Sequence, residues 1–229
     1  PDGEVVLAVV GDSKIAQWIP ALDEIARANG WKVISYTKSA CAPSTAMLLT
    51  GSEPYEACSE WSENVLERLA QDPPDVYLTS GRRSEAGPDS DSQSADNLIQ
   101  GYADYWQQVS DLGIRVVVMG DSAPPRLEDD EPVYECVADH PDDFDTVCTW
   151  DYVPSAALPV LEAAADEVEG ADFFDLDPWV CPQGTCYGVY RNIVAFRQGS
   201  HLTETFVRFL APALAQQLVP LVQDATAST

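Results

Sequence analysis

Positive charge is scarce in this chain: 12 Lys and Arg stand against 38 Asp and Glu, giving a net charge of -26 over 229 residues. A surface of that sign repels phosphate backbones and anionic membranes, which argues against nucleic acid as a partner and favours solubility through self-repulsion. Histidine is rarer still, with His140 and His201 as the only two. Without a CxxC pair beside them they make a poor zinc set, so no metal is expected. No apolar run reaches the roughly 18 to 20 residues of a membrane helix, and no signal peptide precedes the first apolar segment. The chain has no internal repeat, and nothing in it calls for a cofactor.

What is present begins with six cysteines in three sequence-near couples: Cys41 with Cys58, Cys136 with Cys148, and Cys181 with Cys186. An even count at such spacing points to disulfides and an oxidising compartment. About 15 connectivities are open to six cysteines. Local pairing is the simplest, since each couple then closes one loop, and a bridge over about 15 residues contributes roughly 3 kcal/mol. The length suits one α/β domain over 1–229. Because Pro1-Asp2-Gly3 runs almost directly into a strand pattern, the start reads as a processing boundary with something removed upstream.

The run Glu4 to Gly11 (EVVLAVVG) is continuously apolar, as in a strand buried on both faces. Ile15, Trp18, Ile19, Leu22, Ile25 and Ala26 then keep helical spacing until Asn29-Gly30, and Trp31 to Ser39 returns as a strand. This opening is a βαβ unit with parallel strands. Helices are expected near Tyr55–Ala70, Ala95–Leu112, Pro154–Val168 and Leu202–Leu218, with strands at Asp75–Ser80, Ile114–Gly120 and Ala171–Leu176. Arg82 to Asp96 reads as a polar surface crossing, Asp121 to Asp151 as a long acidic loop, and Trp179 to Phe196 as a small hairpin pinned by Cys181 and Cys186. The alternation implies a three-layer α/β/α sandwich.

Ligands of open parallel sheets bind beyond the carboxyl ends of the strands, and Gly11-Asp12-Ser13 sits at such an end. A serine on that strand-to-helix turn is held up from the sheet, with its N–H at a helix N-terminus that can stabilise an oxyanion. The tripeptide also serves as a plain helix cap, so alone it leaves both readings open. Gly120-Asp121-Ser122 is a second copy, but Ala123-Pro124-Pro125 follows it and no amphipathic helix does, so Ser122 reads as a loop residue. A serine nucleophile needs a base. His140, between Asp139 and Pro141, reads as a solvated loop residue, whereas His201 precedes the last helix and can reach the same end of the sheet as Ser13.

An N-terminal strand, GDS, and a late His-Leu before the last helix resemble the SGNH (GDSL) hydrolase superfamily. More narrowly, GDSKIAQWIPAL, SYTKSACAP and YRNIVAFRQGSHLT resemble the SGNH domains fused to bacterial acyltransferase-3 membrane proteins. The likeness spans nearly the whole chain and is weakest from Arg82 to Asp151. It implies a flavodoxin-like five-stranded parallel sheet, catalytic Ser13 and His201, and an upstream membrane acyltransferase from which the domain is excised. It also implies an extracytoplasmic location at a bacterial membrane, an acyl donor delivered by that membrane domain, and a carbohydrate or glycolipid acceptor that receives an acyl group, commonly acetyl. The isolated domain is expected to be monomeric.

The chain departs from the superfamily pattern at two points. The position three before His201, usually Asp, is Gln198, whose amide can orient imidazole but adds no charge to stabilise imidazolium. Three outcomes follow: a Ser-His dyad, a carboxylate supplied by Asp175 or Asp177, or loss of catalysis. The usual oxyanion Gly and Asn are replaced by Lys38-Ser39 and Thr79-Ser80-Gly81, leaving the Ser13 N–H, Ser39 and Ser80 as candidate donors. Arg82 and Arg83, unusual in an acidic chain, are candidates for binding an acidic sugar or phosphate, or are solvated loop charges. Trp150 and Trp179 are candidates for stacking on sugars, while Trp18 and Trp106 fit core faces. The reading of a different class is a non-catalytic carbohydrate-binding or accessory domain on a degenerate scaffold.

Overall fold

The computed structural model describes residues 5–227, so Pro1-Asp2-Gly3 and Glu4 lie outside it. Five strands make one sheet: β1 (Val6–Gly11), β2 (Lys32–Thr37), β3 (Val76–Ser80), β4 (Arg115–Met119) and β5 (Asp172–Phe174). Their order is β2-β1-β3-β4-β5, with every pairing parallel. This is the flavodoxin-like order, and it places the topological switch between β1 and β3.

Both faces of the sheet are covered, which explains the unbroken apolar runs. Leu7, Val9, Val76, Leu78, Val117 and Met119 point into one core, and Ala8, Val10, Tyr77, Val116 and Val118 into the other. Two-residue alternation along a strand sends neighbours to opposite faces. The first core is closed by α2 (Ile19–Asn29), α6 (Glu204–Phe209) and α7 (Ala211–Ala227); the second by α3 (Glu56–Gln71), α4 (Ala95–Asp111) and α5 (Leu158–Asp166). The result is the three-layer α/β/α sandwich.

Several segments differ from the sequence reading. The first helix is broken into α1 (Ser13–Ala16) and α2, because Pro20 sits in the first turn of α2 and starts a helix there. Gly30, at φ 71°, ends α2 as expected of Asn29-Gly30. The last helix is likewise split, at Leu210. Arg82 to Asp96 is not wholly a surface crossing: Ala86 is buried, bridges Ser94, and packs in the second core. The acidic excursion is more ordered than a loop. It holds helices Val133–Asp139 and Phe144–Val147 and a strand, Thr149–Asp151, that pairs with Thr185–Tyr187.

Three disulfides join Cys41 to Cys58, Cys136 to Cys148 and Cys181 to Cys186. The last lies beside the Thr149–Asp151 pairing, and the hairpin of the region is Val189–Tyr190 with Ile193–Val194 further on. Trp150 is 7% exposed and packs on Phe196 in the first core, so it is a core residue and offers no stacking face. Trp179 is half-buried against the same core.

Candidate active site

The site grows from the carboxyl end of β1. Gly11 takes φ 146°, and a Cβ there would lie 2.5 Å from the Ser80 carbonyl oxygen, so only glycine lets β1 leave the sheet this close to β3. Asp12 caps α1, its carboxylate accepting the Lys14 N–H at 2.8 Å and, from across the switch point, the Arg82 N–H at 3.0 Å. Burial raises the Asp12 pKa above its ordinary value, and those two N–H contacts offset only part of the rise. Ser13 is thereby the first residue of α1, where the N–H has no intrahelical acceptor.

Ser13 Oγ lies 2.8 Å from His201 Nε2, across 188 positions of sequence. On the far side of the ring, Nδ1 is 3.2 Å from the backbone carbonyl oxygen of Gln198. A carbonyl oxygen only accepts, so the proton resides on Nδ1, and the Nε2 lone pair is left for the serine hydroxyl. The orienting group is therefore the main chain of residue 198, and the side-chain amide considered above has no part in it. Asp175 and Asp177 do not supply a carboxylate either. Asp177 accepts from the Ala123 N–H at 2.8 Å and the Tyr152 hydroxyl at 2.9 Å, and Asp175 accepts from the Asp177 N–H. Burial lowers the His201 pKa and Lys14, Arg197 and Arg82 push the same way, against the Gln198 carbonyl, so the ring is neutral at neutral pH.

Lys14, immediately after the serine, was not singled out in the sequence. Its side chain is fully buried, with Nζ 3.0 Å from Asp121 and donating to the Ser200 carbonyl at 2.6 Å and the Ser200 hydroxyl at 3.2 Å. A buried ammonium is tolerated only with such partners. It ties the serine turn, the end of β4 and the histidine loop together. Gln17 adds a second tie, accepting the Leu202 N–H at 2.9 Å. The second Gly-Asp-Ser thus has a structural use: Asp121 and Ser122 are buried, and Asp121 answers Lys14. Burial pushes the Asp121 carboxyl up to about 6 against the pull of Lys14. Two Gly-Asp-Ser copies at the ends of parallel strands, one followed by a lysine, were the signal available for this pair.

The remaining candidates divide. Ser80 is the register partner of Gly11, and its Oγ is buried with no hydrogen-bond partner among the described residues. Ser39 is exposed on the turn after β2, where its carbonyl accepts from Tyr55. Arg82 lines a cleft of about 730 Å³ that has His201 in its wall, whereas Arg83 donates to the Ala40 carbonyl at 3.0 Å and braces the turn after β2. His140 is an exposed residue 3.2 Å from Asp143.

The family model for the SGNH domain fused to AT3 domains matches residues 1–216. The chain belongs to this family. Among solved structures, this SGNH domain is similar to the lipopolysaccharide acetyltransferase periplasmic domain of Salmonella ser. Paratyphi A, with TM-score 0.69 and 13% identity, covering 96% of this chain and 85% of the other. It is also similar to a candidate acylhydrolase from Bacteroides fragilis, with TM-score 0.53 and 10% identity, over 97% of this chain and 90% of that one. At such identities these likenesses speak for the fold. No curated protein matches the chain by sequence. Among the described residues, no helix of the SGNH domain is long and apolar enough to cross a membrane.

Proposed function

We propose that this SGNH domain transfers an acyl group, commonly acetyl, to an extracytoplasmic carbohydrate or glycolipid, with hydrolysis when water takes the acceptor's place. Ser13 is the nucleophile and His201 its base. In the first half-reaction a bond forms between Ser13 Oγ and the acyl carbon while the serine proton passes to His201 Nε2. The donor's alcohol or thiol then leaves with that proton. In the second half an acceptor hydroxyl gives its proton to His201 and attacks the acyl-serine, and Ser13 departs with the proton. The Ser13 N–H, at the start of α1, is suited to receive the oxyanion. Membership of a family fused to AT3 domains supports a membrane acyltransferase as the source of the acyl group and a site on the outer side of a membrane.

The observation that carries this reading is the 2.8 Å contact between Ser13 Oγ and His201 Nε2 with the far nitrogen held by a pure acceptor. A second reading, a carbohydrate-binding domain without turnover, is favoured by the lack, among the described residues, of a carboxylate behind His201. Fluorophosphonate labelling decides between them. Catalysis predicts labelling at Ser13 that is lost in Ser13→Ala and His201→Ala with the fold intact. Unlabelled wild-type protein, together with glycan binding that Ser13→Ala leaves unaltered, would establish the second reading instead.

A further inference from the structure

The chain has nine arginines, and six of them are engaged within the protein. Arg27 pairs with Asp23, Arg115 with Asp172, and Arg208 with Glu24 and Glu204. Arg68 bonds Gln71, Arg83 bonds the Ala40 carbonyl, and Arg191 lies over the rings of Tyr190 and Phe209. The guanidinium groups of the other three, Arg82, Arg126 and Arg197, make no hydrogen bond or ion pair among the described residues. All three line the cleft of about 730 Å³ that carries His201 in its wall.

That coincidence is informative in a chain with 38 acidic residues, where an arginine can find a carboxylate at little cost. Three segments far apart in sequence deliver the trio. Arg82 follows β3, Arg126 comes from the acidic excursion after β4, and Arg197 opens the histidine loop. Asp121, Asp130 and Glu131 also line the cleft, but Asp121 is answered by Lys14, so the guanidiniums exceed the unpaired carboxylates by one. Arg82 and Arg197 also disfavour a proton on His201, which hinders a base that must become imidazolium until an anion offsets them.

We propose that this cleft binds the acyl acceptor through an anionic substituent, a sugar carboxylate or phosphate, held by Arg82, Arg126 and Arg197. The proposal rests on the acyl-transfer reading for the word acceptor, but the anion site itself does not. A guanidinium presents a planar fork of donors that matches the two oxygens of a carboxylate or phosphate. The global charge of -26 repels polyanions. At physiological ionic strength that repulsion is screened beyond about 8 Å, whereas direct contacts inside the cleft persist. Selection is therefore local and favours a short charged glycan over a long polyanion.

The test is calorimetric titration of the whole domain, at physiological ionic strength, with trigalacturonate, glucose 6-phosphate and neutral galactotriose. At least one anionic probe is expected to bind about tenfold or more tightly than galactotriose, and the two anions distinguish carboxylate from phosphate recognition. Arg82→Gln, Arg126→Gln and Arg197→Gln are each expected to weaken that binding about tenfold, whereas Arg27→Gln, on a helix surface away from the cleft, does not. The thermal midpoints of the three cleft variants should match the wild type, since none of these guanidinium groups has a hydrogen bond or ion pair to lose among the described residues. No preference for either anion over galactotriose, or a preference that survives all three substitutions together, overturns the proposal. Arginine-dependent anion binding without fluorophosphonate labelling overturns the acyl-transfer reading alone; labelling without anion preference overturns this inference alone.

Discussion

At the scale of the residue, the histidine is held by main chain where the superfamily pattern usually has a carboxylate. The Gln198 carbonyl fixes the tautomer as well as a carboxylate does, but it carries no full charge to stabilise imidazolium. Replacing the triad carboxylate by an amide in a serine protease drops kcat by about 10⁴, partly through the wrong tautomer, so a dyad with the right tautomer should lose less. Because the side chain of Gln198 is uninvolved, Gln198→Ala is expected to change esterase kcat on p-nitrophenyl acetate by less than about threefold, against about tenfold or more for a side chain that orients the ring. Gln198→Asp is expected to raise kcat and move the acid limb of the pH profile upward, by adding a charge that favours imidazolium. In the unsubstituted protein that limb should lie below the ordinary histidine value of about 6.5, since burial and three nearby cations disfavour the proton. A limb at or above that value would show that the ring is more exposed, or more negatively surrounded, than the geometry implies.

At the scale of elements, the site depends on how firmly the histidine loop is fastened to the start of α1. Lys14 reaches Ser200 on that loop and Asp121 at the end of β4, joining three pieces of chain that share no strand pairing at that point. Lys14→Met leaves Asp121 buried without its cation, and removing one partner of a buried pair costs about 3 to 5 kcal/mol. Lys14→Met combined with Asp121→Leu should recover most of the loss, because two buried charges then vanish together. Urea unfolding of the two single variants and the double variant checks this. Losses that simply add in the double variant would mean that the two groups do not act as a pair.

At the scale of the whole molecule, stability should respond to pH in an unusual direction. Asp12, Asp121 and Asp177 all have pKa values raised by burial, with Asp121 at about 6. A carboxyl raised in the folded state stabilises fully below its unfolded value of about 3.8, and that contribution is lost as pH rises through the folded value. His201, lowered in the folded state, has the opposite sign: its contribution is present above about 6.5 and is lost as pH falls through its folded value. Asp121, at about 6, titrates inside the range from about pH 5 to about pH 7.5, and acidification also relieves the self-repulsion of a chain at -26. The thermal midpoint is therefore expected to be higher near about pH 5 than near about pH 7.5. A midpoint that rises steadily from about pH 5 to about pH 7.5 would contradict the assignment.

Strand and helix placement was largely legible in the sequence, because a strand buried on both faces must be apolar throughout and a covering helix must keep a 3.6-residue stripe. Val6–Gly11, Ala95–Asp111 and the Asn29-Gly30 stop all follow from such local requirements. Ser13 and His201 were legible as the chemistry they can perform and as loops at one end of the sheet. The Cys136–Cys148 couple in the acidic excursion was legible from its spacing, but the segment was read as a loop because its strand pairs with the distant Thr185–Tyr187, which no local pattern reveals. Trp150 was misread for the same reason: its burial depends on Phe196, 46 positions away in sequence. The sequence by itself determined the parallel α/β/α architecture and the candidate nucleophile and base, since periodicity and residue chemistry are local properties. Only the tertiary structure decided that the backbone carbonyl of Gln198 faces His201, that Lys14 faces Asp121, and that Arg82, Arg126 and Arg197 meet in one cleft. Those are contacts between distant segments, and their geometry exists only once the chain has closed on itself.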